Sequence, residues 1–339
     1  MGSVKDLKVL KSPTADSPGL GRFVFSDRYS VFDWGEMPDH ITDKGAAINI
    51  VTAYFFEKLE EQGIKTHYRG LIENDKTKKL MDLEKPSNIL EIDLVRVVKP
   101  RVQDDSYDYS PFQKEQKNLL IPIEVIYRNS LPAGSSIFRR LNSGKLEIQD
   151  IGLDEKPTPG QKLPKPIFDV STKLETTDRY ISWQEAQRIC NLSDAEQEDI
   201  KSLLLEIDNL ITIETEKIGL TNEDGKIELA FDENRELMVV DALGTLDESR
   251  FTFNGMTFSK EIARQYYRGT KWAEDIERAK QKDRLNWKEN VELEPPALPE
   301  EFARSISAVY KAYANQLTSR KWFDAPSIEE IMDKINKFI

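Results

Sequence analysis

The chain has 339 residues, is 39% hydrophobic and 32% charged, and carries a net charge of −12. Its isoelectric point is near 5.0. That is enough chain for one large or two modest domains, and an acidity that excludes nucleic acid as a main partner, because a phosphate backbone needs a basic face.

A single cysteine, Cys190, excludes an internal disulfide, and the two histidines, His40 and His67, are too few for a zinc site. No run reaches the roughly 18 apolar residues of a membrane span and no signal peptide opens the chain. The expectation is a cytoplasmic enzyme or binding protein with no membrane partner.

In chain order, residues 1–35 read as β-rich, with a strand over Gly21–Ser26 preceded by a turn-rich loop, Pro13–Gly21. Ala46–Gln62 is an amphipathic helix: Ile48, Val51, Phe55 and Leu59 form one stripe and Gly63 supplies the stop. Ile89–Pro100 is a strand pattern ending at proline, and Arg101–Gln116 is an acidic, tyrosine-bearing surface excursion. Leu119–Tyr127 is apolar except for Glu124, the pattern of a central buried strand. Lys156–Pro166, with four prolines, reads as a loop. Ser182–Leu192 is a helix holding Cys190 as a small apolar residue. Ser193–Gly219 is the clearest helix, opened by a Ser193/Glu196 capping box.

Lys226–Phe231 and Leu237–Leu243 are two apolar runs around a polar turn, Asp232–Arg235, and predict a β-hairpin. With a four-residue turn, Phe231 pairs with Glu236 and Glu228 faces Val239. Asp241 is then the diagonal neighbour on the same face, about 7–8 Å away at the backbone. Two carboxylates converging from adjacent strands can hold Mg²⁺ beside a nucleotide phosphate. The same pattern fits two acids on a solvated face, and a one-residue slip would separate them. Ser259–Arg268 and Ala273–Lys282 follow as short helices. After the proline-rich Glu294–Pro299, a stripe of Phe302, Ile306, Val309 and Tyr313 marks a helix, and Ser327 with Glu330 caps a last one. The fold class is α+β: an N-terminal β-rich lobe over 1–120, a second α+β lobe over 121–293, and a helical tail over 294–339.

The hairpin segment KIELAFDENRELMVVDALGTLDESRF resembles the signature of SAICAR synthetase, phosphoribosylaminoimidazole-succinocarboxamide synthase. Four further segments match that family in order. Ser26-Asp-Arg-Tyr-Ser-Val-Phe-Asp33 is similar to its "TDRISAFD" element, and Thr42-Asp-Lys-Gly-Ala46 to its "PGKG" loop. Ile121-Pro-Ile-Glu-Val-Ile-Tyr-Arg-Asn129 with Ala133-Gly-Ser135 is similar to "PLEVVVRN…AGS". Val170-Ser-Thr-Lys-Leu-Glu175 is similar to "STKxE".

The resemblance implies a two-lobed, kinase-like or ATP-grasp-like arrangement with nucleotide between the lobes. It implies ATP-dependent ligation of carboxyaminoimidazole ribotide (CAIR) with L-aspartate through an acyl phosphate, in purine biosynthesis, with ATP and Mg²⁺ required. On that resemblance Glu228 and Asp241 bind Mg²⁺, and Arg128, Ser135 and Arg250 hold the ribotide 5′-phosphate. Ser171, Thr172 and Lys173 face the aspartate, and Lys44 and Asp33 line the reacting centre. Ile123 and Glu124 lie on the strand whose backbone meets adenine. A structural ion pair is the alternative for Arg128 or Arg250, and a turn acid for Asp33.

Three departures stand out. The family's phosphate-gripping N-terminal strand is replaced by Leu7-Lys-Val-Leu-Lys-Ser12, leaving Lys8 or Lys11 for that role. Ala242 stands where the family has an acid, and Leu246 where it has proline. The "RNSLPAGSS" loop is one residue longer. This pattern looks like a divergent, archaeal-type branch. It leaves open a ligase with a different acid and amine, a catalytically silent nucleotide-binding relative, and a homo-oligomeric assembly.

Overall fold

Short alternating segments at the N-terminus give strands whose apolar face needs a helix to cover it. In the computed structural model, which describes residues 4–103, 106–283 and 286–338, they form an antiparallel sheet. Its strands are β1 (Lys5–Lys11), β2 (Gly19–Phe25), β3 (Tyr68–Glu73), β4 (Lys76–Lys78) and β5 (Ile89–Leu94), in the order β1-β2-β5-β3-β4. The predicted loop ends sooner than expected, because Gly19–Gly21 already pair with β5. The predicted strand to Pro100 stops at Leu94.

The helix α1 (Lys44–Glu61) packs on this sheet and begins two residues before its predicted start. Its first free amides are taken up by the Asp27 carboxylate, which accepts from the N–H groups of Asp43 and Gly45, each at 3.0 Å. Gly63, with φ +80°, follows its end. Ile48, Val51, Phe55 and Leu59 are buried, but so are Ile50 and Phe56, because a second helix covers the other face.

The excursion after β5 forms a hairpin, β6 (Arg101–Gln103) and β7 (Ser106–Asp108), and the short α2 (Ser110–Gln113). It is more anchored than a surface excursion. Tyr109 and Phe112 are buried, the Tyr109 hydroxyl donates to Glu175 at 2.9 Å, and the Tyr107 hydroxyl to Thr176 at 2.7 Å.

The second sheet is built on β8 (Leu119–Leu131), β9 (Gln161–Thr172), β10 (Tyr180–Ile181), β11 (Leu220–Phe231), β12 (Leu237–Val240), β13 (Ser249–Phe253) and β14 (Met256–Phe258). Its order is β10-β9-β8-β11-β13-β14, with β12 also on β11. The continuous apolar run of β8 is central, as its sequence predicts. The predicted Lys156–Pro166 loop becomes strand from Gln161. Its prolines are tolerated because the β8–β9 register shifts between Arg128 and Ser130, where no ladder bond is needed.

The helices α3 (Ser136–Asn142), α4 (Trp183–Cys190), α5 (Asp194–Glu216), α6 (Glu261–Arg268) and α7 (Lys271–Lys282) flank this sheet. The Ser193/Glu196 capping box is present. Burial pushes the Cys190 thiol up, which suits a packed residue rather than a nucleophile. The segment after 294 carries α8 (Glu300–Leu317) and α9 (Ile328–Ile335), and α8 is the second cover on α1. Phe302, Ile306, Val309 and Tyr313 are all buried. Two parallel bridges, Thr66 with Val239 and Arg96 with Leu119, join the sheets. Among the described residues no helix is long and apolar enough to cross a membrane.

Candidate active site

Where the two sheets meet there is a cavity of about 520 Å³. One wall is apolar and comes from Leu7, Phe23, Leu94, Val97 and Leu120. The other is ionic and includes Lys173, Lys226, Glu228, Asp241, Asp247 and Lys260. Such a division suits a ligand with a flat apolar end and an anionic end.

The hairpin that carries Glu228 and Asp241 forms, but one residue out of the expected register. Phe231 pairs with Leu237 and Glu228 with Val240. A strict strand would then turn Asp241 to the opposite face. It does not, because the strand ends at Val240 and Asp241 adopts φ +73°. This left-handed residue breaks the alternation and returns its carboxylate to the cavity beside Glu228. The Asp241 carbonyl lies 3.3 Å from His67 Nε2. Burial pushes His67 down to about 4, so the ring is neutral and can donate. Burial and the nearby Asp241 push Glu228 up, whereas Asp241 is held low against its burial by Lys5 and Lys173. Two adjacent carboxylates therefore share a cavity with one more acidic than the other.

Lysines neutralise this acidic pair. Lys5 bonds Asp241, and Lys173 bonds Glu228 and reaches Glu124 at 3.4 Å. Lys226 bonds Glu124 at 2.9 Å and pairs with Glu248 at 3.3 Å. The N-terminal lysine at the cavity is thus Lys5. Lys8 and Lys11 are exposed and do not line it. Lys5 also lies 4.7 Å from the Phe23 ring centroid.

Lys44 stands behind the wall rather than on it. It is 1% exposed and donates to Asp247 Oδ2 at 2.6 Å, and Asp247 in turn lines the cavity. The other oxygen, Oδ1, accepts from the Tyr310 hydroxyl of α8 at 2.6 Å. Burial would raise Asp247, but Lys44, Lys260 and these bonds hold it below the usual carboxylate range. Asp33 lines the cavity from a left-handed turn, with φ +63°. Ser171 and Thr172 are buried and do not line it, and Thr172 Oγ1 instead accepts from the Arg179 amide at 3.1 Å. Ile123 and Glu124 do not line it either. β9 and β11 flank β8 at Glu124, and the strand reaches the cavity at Leu120.

A second cluster gathers Arg128, Ser135 and Arg250. Arg128, 2% exposed, pairs with Asp169 and Asp224, each at 3.2 Å. Arg250 Nε bonds Asp224 at 2.8 Å. Both arginines are therefore ion-paired to strand acids, the alternative that the sequence left open for them. Ser135 caps α3, accepting from the Ile137 amide at 3.4 Å. A β-carbon on Gly134 would sit 3.5 Å from Arg250 Nη1 and 3.6 Å from Arg268 Nη2. Arg140 bonds Asp169 at 2.6 Å, and Arg268 bonds Glu261. Four guanidiniums thus meet three carboxylates beside a helix N-terminus, a surplus of positive charge suited to an anion.

The family model for SAICAR synthetase matches residues 8–282. The chain belongs to the SAICAR synthetase family. A provisionally named phosphoribosylaminoimidazole-succinocarboxamide synthase of Archaeoglobus fulgidus is 52% identical over 339 residues, covering 100% of both chains. The synthase of Thermoplasma acidophilum is 34% identical, with 88% of this chain and 93% of its own covered. The fold is that of SAICAR synthetase from Saccharomyces cerevisiae in complex with SAICAR, at TM-score 0.63 and 21% identity over 95% of this chain and 94% of that one. A SAICAR synthetase in complex with ADP aligns at TM-score 0.61 and 19% identity, covering 95% and 97%.

Sequence reasoning missed Lys5, Lys226, Lys260 and Tyr310, which the structure places at the cavity. The Lys226 signal was available, two residues before Glu228 in an alternating strand and so on the same face. Tyr310 gave no signal, and it lies beyond the matched residues.

Proposed function

We infer that this chain joins CAIR to L-aspartate at the expense of ATP, yielding SAICAR, ADP and phosphate. Family membership over residues 8–282 supports that reading. The observation that carries it is the cavity in which Glu228 and Asp241 converge between an apolar wall and a row of lysines. The apolar wall of Leu7, Phe23, Leu94, Val97 and Leu120 takes the adenine. Lys5 and Lys173 face the phosphates. The Arg128, Ser135 and Arg250 cluster takes the ribotide phosphate.

A carboxylate is a poor electrophile because its oxygen leaves badly. Its attack on the ATP γ-phosphorus releases ADP and makes an acyl phosphate. The aspartate amine then attacks the carbonyl carbon and phosphate departs with the amine's proton lost. No nucleophilic side chain is needed. The protein holds three anions in place and balances their charge. Asp247, fixed by Lys44 and Tyr310, offers its remaining lone pairs to substrate N–H or O–H groups. Asp33 faces the same space.

Mg²⁺ fits the Glu228 and Asp241 pair: both donors are carboxylate oxygens, and among the described residues no third acid or histidine completes a cage. A cation held by two carboxylates and substrate phosphates is the usual magnesium arrangement. When bound, it neutralises charge on the transferring phosphate. We further assign lobes at 1–120 and 121–293 with the segment 294–339 beyond them, a cytoplasmic location and a homo-oligomer. Mass spectrometry with ATP, Mg²⁺, CAIR and a panel of amino acids tests the reaction. Product with glycine or alanine as readily as with L-aspartate would replace this reading with a ligase of another substrate pair.

A further inference from the structure

Asp241 is the point at which the hairpin abandons strand geometry. β12 ends at Val240, which pairs with Glu228, and Asp241 follows with φ +73°. A residue with a β-carbon seldom adopts this region, and Asp is among the few that tolerate it. The conformation decides where the carboxylate points, since an extended Asp241 would turn it away from Glu228. Such a turn persists only where its surroundings hold it.

The holding contacts come from the first sheet. Lys5 of β1 bonds the carboxylate. His67, the residue before β3, is joined to the end of the hairpin twice. Its amide donates to the Val239 carbonyl at 3.1 Å, and its Nε2 lies 3.3 Å from the Asp241 carbonyl oxygen. That oxygen can only accept, so the ring proton belongs on Nε2. The His67 carbonyl accepts from the Asp93 amide at 2.7 Å, which ties the residue to β5. The ring is 3% exposed and packs edge-on to Phe23 and Phe56, with centroids 5.8 and 5.4 Å away, so it has no room to swing.

We propose that His67 is a positioning residue for the metal site: its Nε2–H fixes the left-handed turn at Asp241 and so aims that carboxylate at the space Glu228 faces. This rests on the ligase reading above, in which Glu228 and Asp241 hold Mg²⁺. Among the described residues no three of His, Cys, Asp or Glu group as metal ligands, so His67 acts on the pair from behind rather than joining it. The pair is therefore completed across the two sheets. Glu228 is placed by its own strand and Asp241 by the sheet opposite, and parting the sheets would release Asp241 alone.

The test uses two variants. His67→Phe keeps a ring between Phe23 and Phe56 but removes the donor, and His67→Gln puts an N–H back. Mn²⁺ affinity in the presence of ADP, read by electron paramagnetic resonance, should fall about 3–10-fold in His67→Phe, the loss of one neutral hydrogen bond, and recover in His67→Gln. In the metal-free protein the amides of residues 240–243 should exchange with solvent faster in His67→Phe and at the wild-type rate in His67→Gln. Metal-free binding of ADP and of CAIR, by calorimetry, should stay within about twofold in both, since the effect is local to the turn. An unchanged Mn²⁺ affinity in His67→Phe overturns the proposal, as does a loss without faster exchange, a loss that glutamine does not recover, or one that ADP and CAIR share with a lowered melting temperature. If the wild-type protein binds no Mn²⁺ in the presence of ADP, the metal reading fails first and the assignment falls with it.

Discussion

Replacing Tyr310 by phenylalanine removes one oxygen from the back of the site and leaves the packing intact. Asp247 is buried, and its two oxygens are held from opposite sides, by Lys44 at 2.6 Å and Tyr310 at 2.6 Å. The ring also lies 5.4 Å from the Lys44 ammonium, a contact that phenylalanine keeps. A hydrogen bond to a charged group contributes about 1.5–3 kcal/mol. Unfolding entropy is about 2.1 cal/mol/K per residue, or about 0.7 kcal/mol/K for a chain of this size if it melts as one unit, so Tm should fall by about 2–4 °C. Asp247, freed on one side, should turn in the cavity and lower kcat about tenfold. ADP affinity should hold, because the apolar wall and Lys5 are untouched. Differential scanning calorimetry, ADP titration and initial rates make the three readings. An unchanged Tm with unchanged kcat would show that α8 does not hold Asp247, and the place given to that helix in the site would be wrong.

Glu228→Gln and Asp241→Asn should each cut turnover at least about 10²-fold and weaken Mn²⁺ binding in the presence of ADP, read by electron paramagnetic resonance; normal metal affinity would remove that residue from the metal site. Arg250→Ala should weaken CAIR binding by about 2–3 kcal/mol and leave ADP binding alone, as calorimetry would show. Lys5→Met should raise the Kd for ADP more than Lys8→Met or Lys11→Met do. Asp208 accepts from Asn129 at 2.7 Å and Asn222 at 3.0 Å, yet burial pushes it up to about 6. A raised carboxyl favours the native state below the unfolded value near 4, and that contribution is lost as pH rises through about 6. Asp208→Asn should therefore raise Tm at pH 7.5 and change it little at pH 4, by thermal melts at both.

Much of this was legible in the chain because local rules and global packing agree for most elements. The β8 run, the Ser193 cap and the apolar stripes of α1 and α8 have the periods that burial demands. The hairpin was readable to within one residue, and that residue mattered. Counting along ideal strands brought Glu228 and Asp241 together, as the structure does, but by a wrong register, since nothing in the sequence marks Asp241 as left-handed. Gln161–Pro166 was hidden by its prolines, which say loop unless the partner strand also shifts. The ionic wall was less legible. Lys5 could not be chosen over Lys8 or Lys11 without knowing which face of β1 turns inward. Lys44 looked like a site residue, but the Asp27 carboxylate starts α1 early and draws its side chain behind Asp247.

The helix α8 joins parts of the chain that are made far apart in time. Ser307 bonds the Thr42 carbonyl at 2.6 Å, Lys311 pairs with Asp43 at 2.8 Å, and Tyr313 bonds the Gly244 carbonyl at 2.7 Å. Each contact closes a long loop, so none can form until residues near 310 have been synthesised. Both sheets can fold earlier, since their strands lie within residues 5–258. A nascent chain would then expose the apolar face of α1 and hold Asp247 by Lys44 alone. Maturation of the site therefore waits for α8, and a protein cut short before it would keep its sheets while lacking a settled ionic wall.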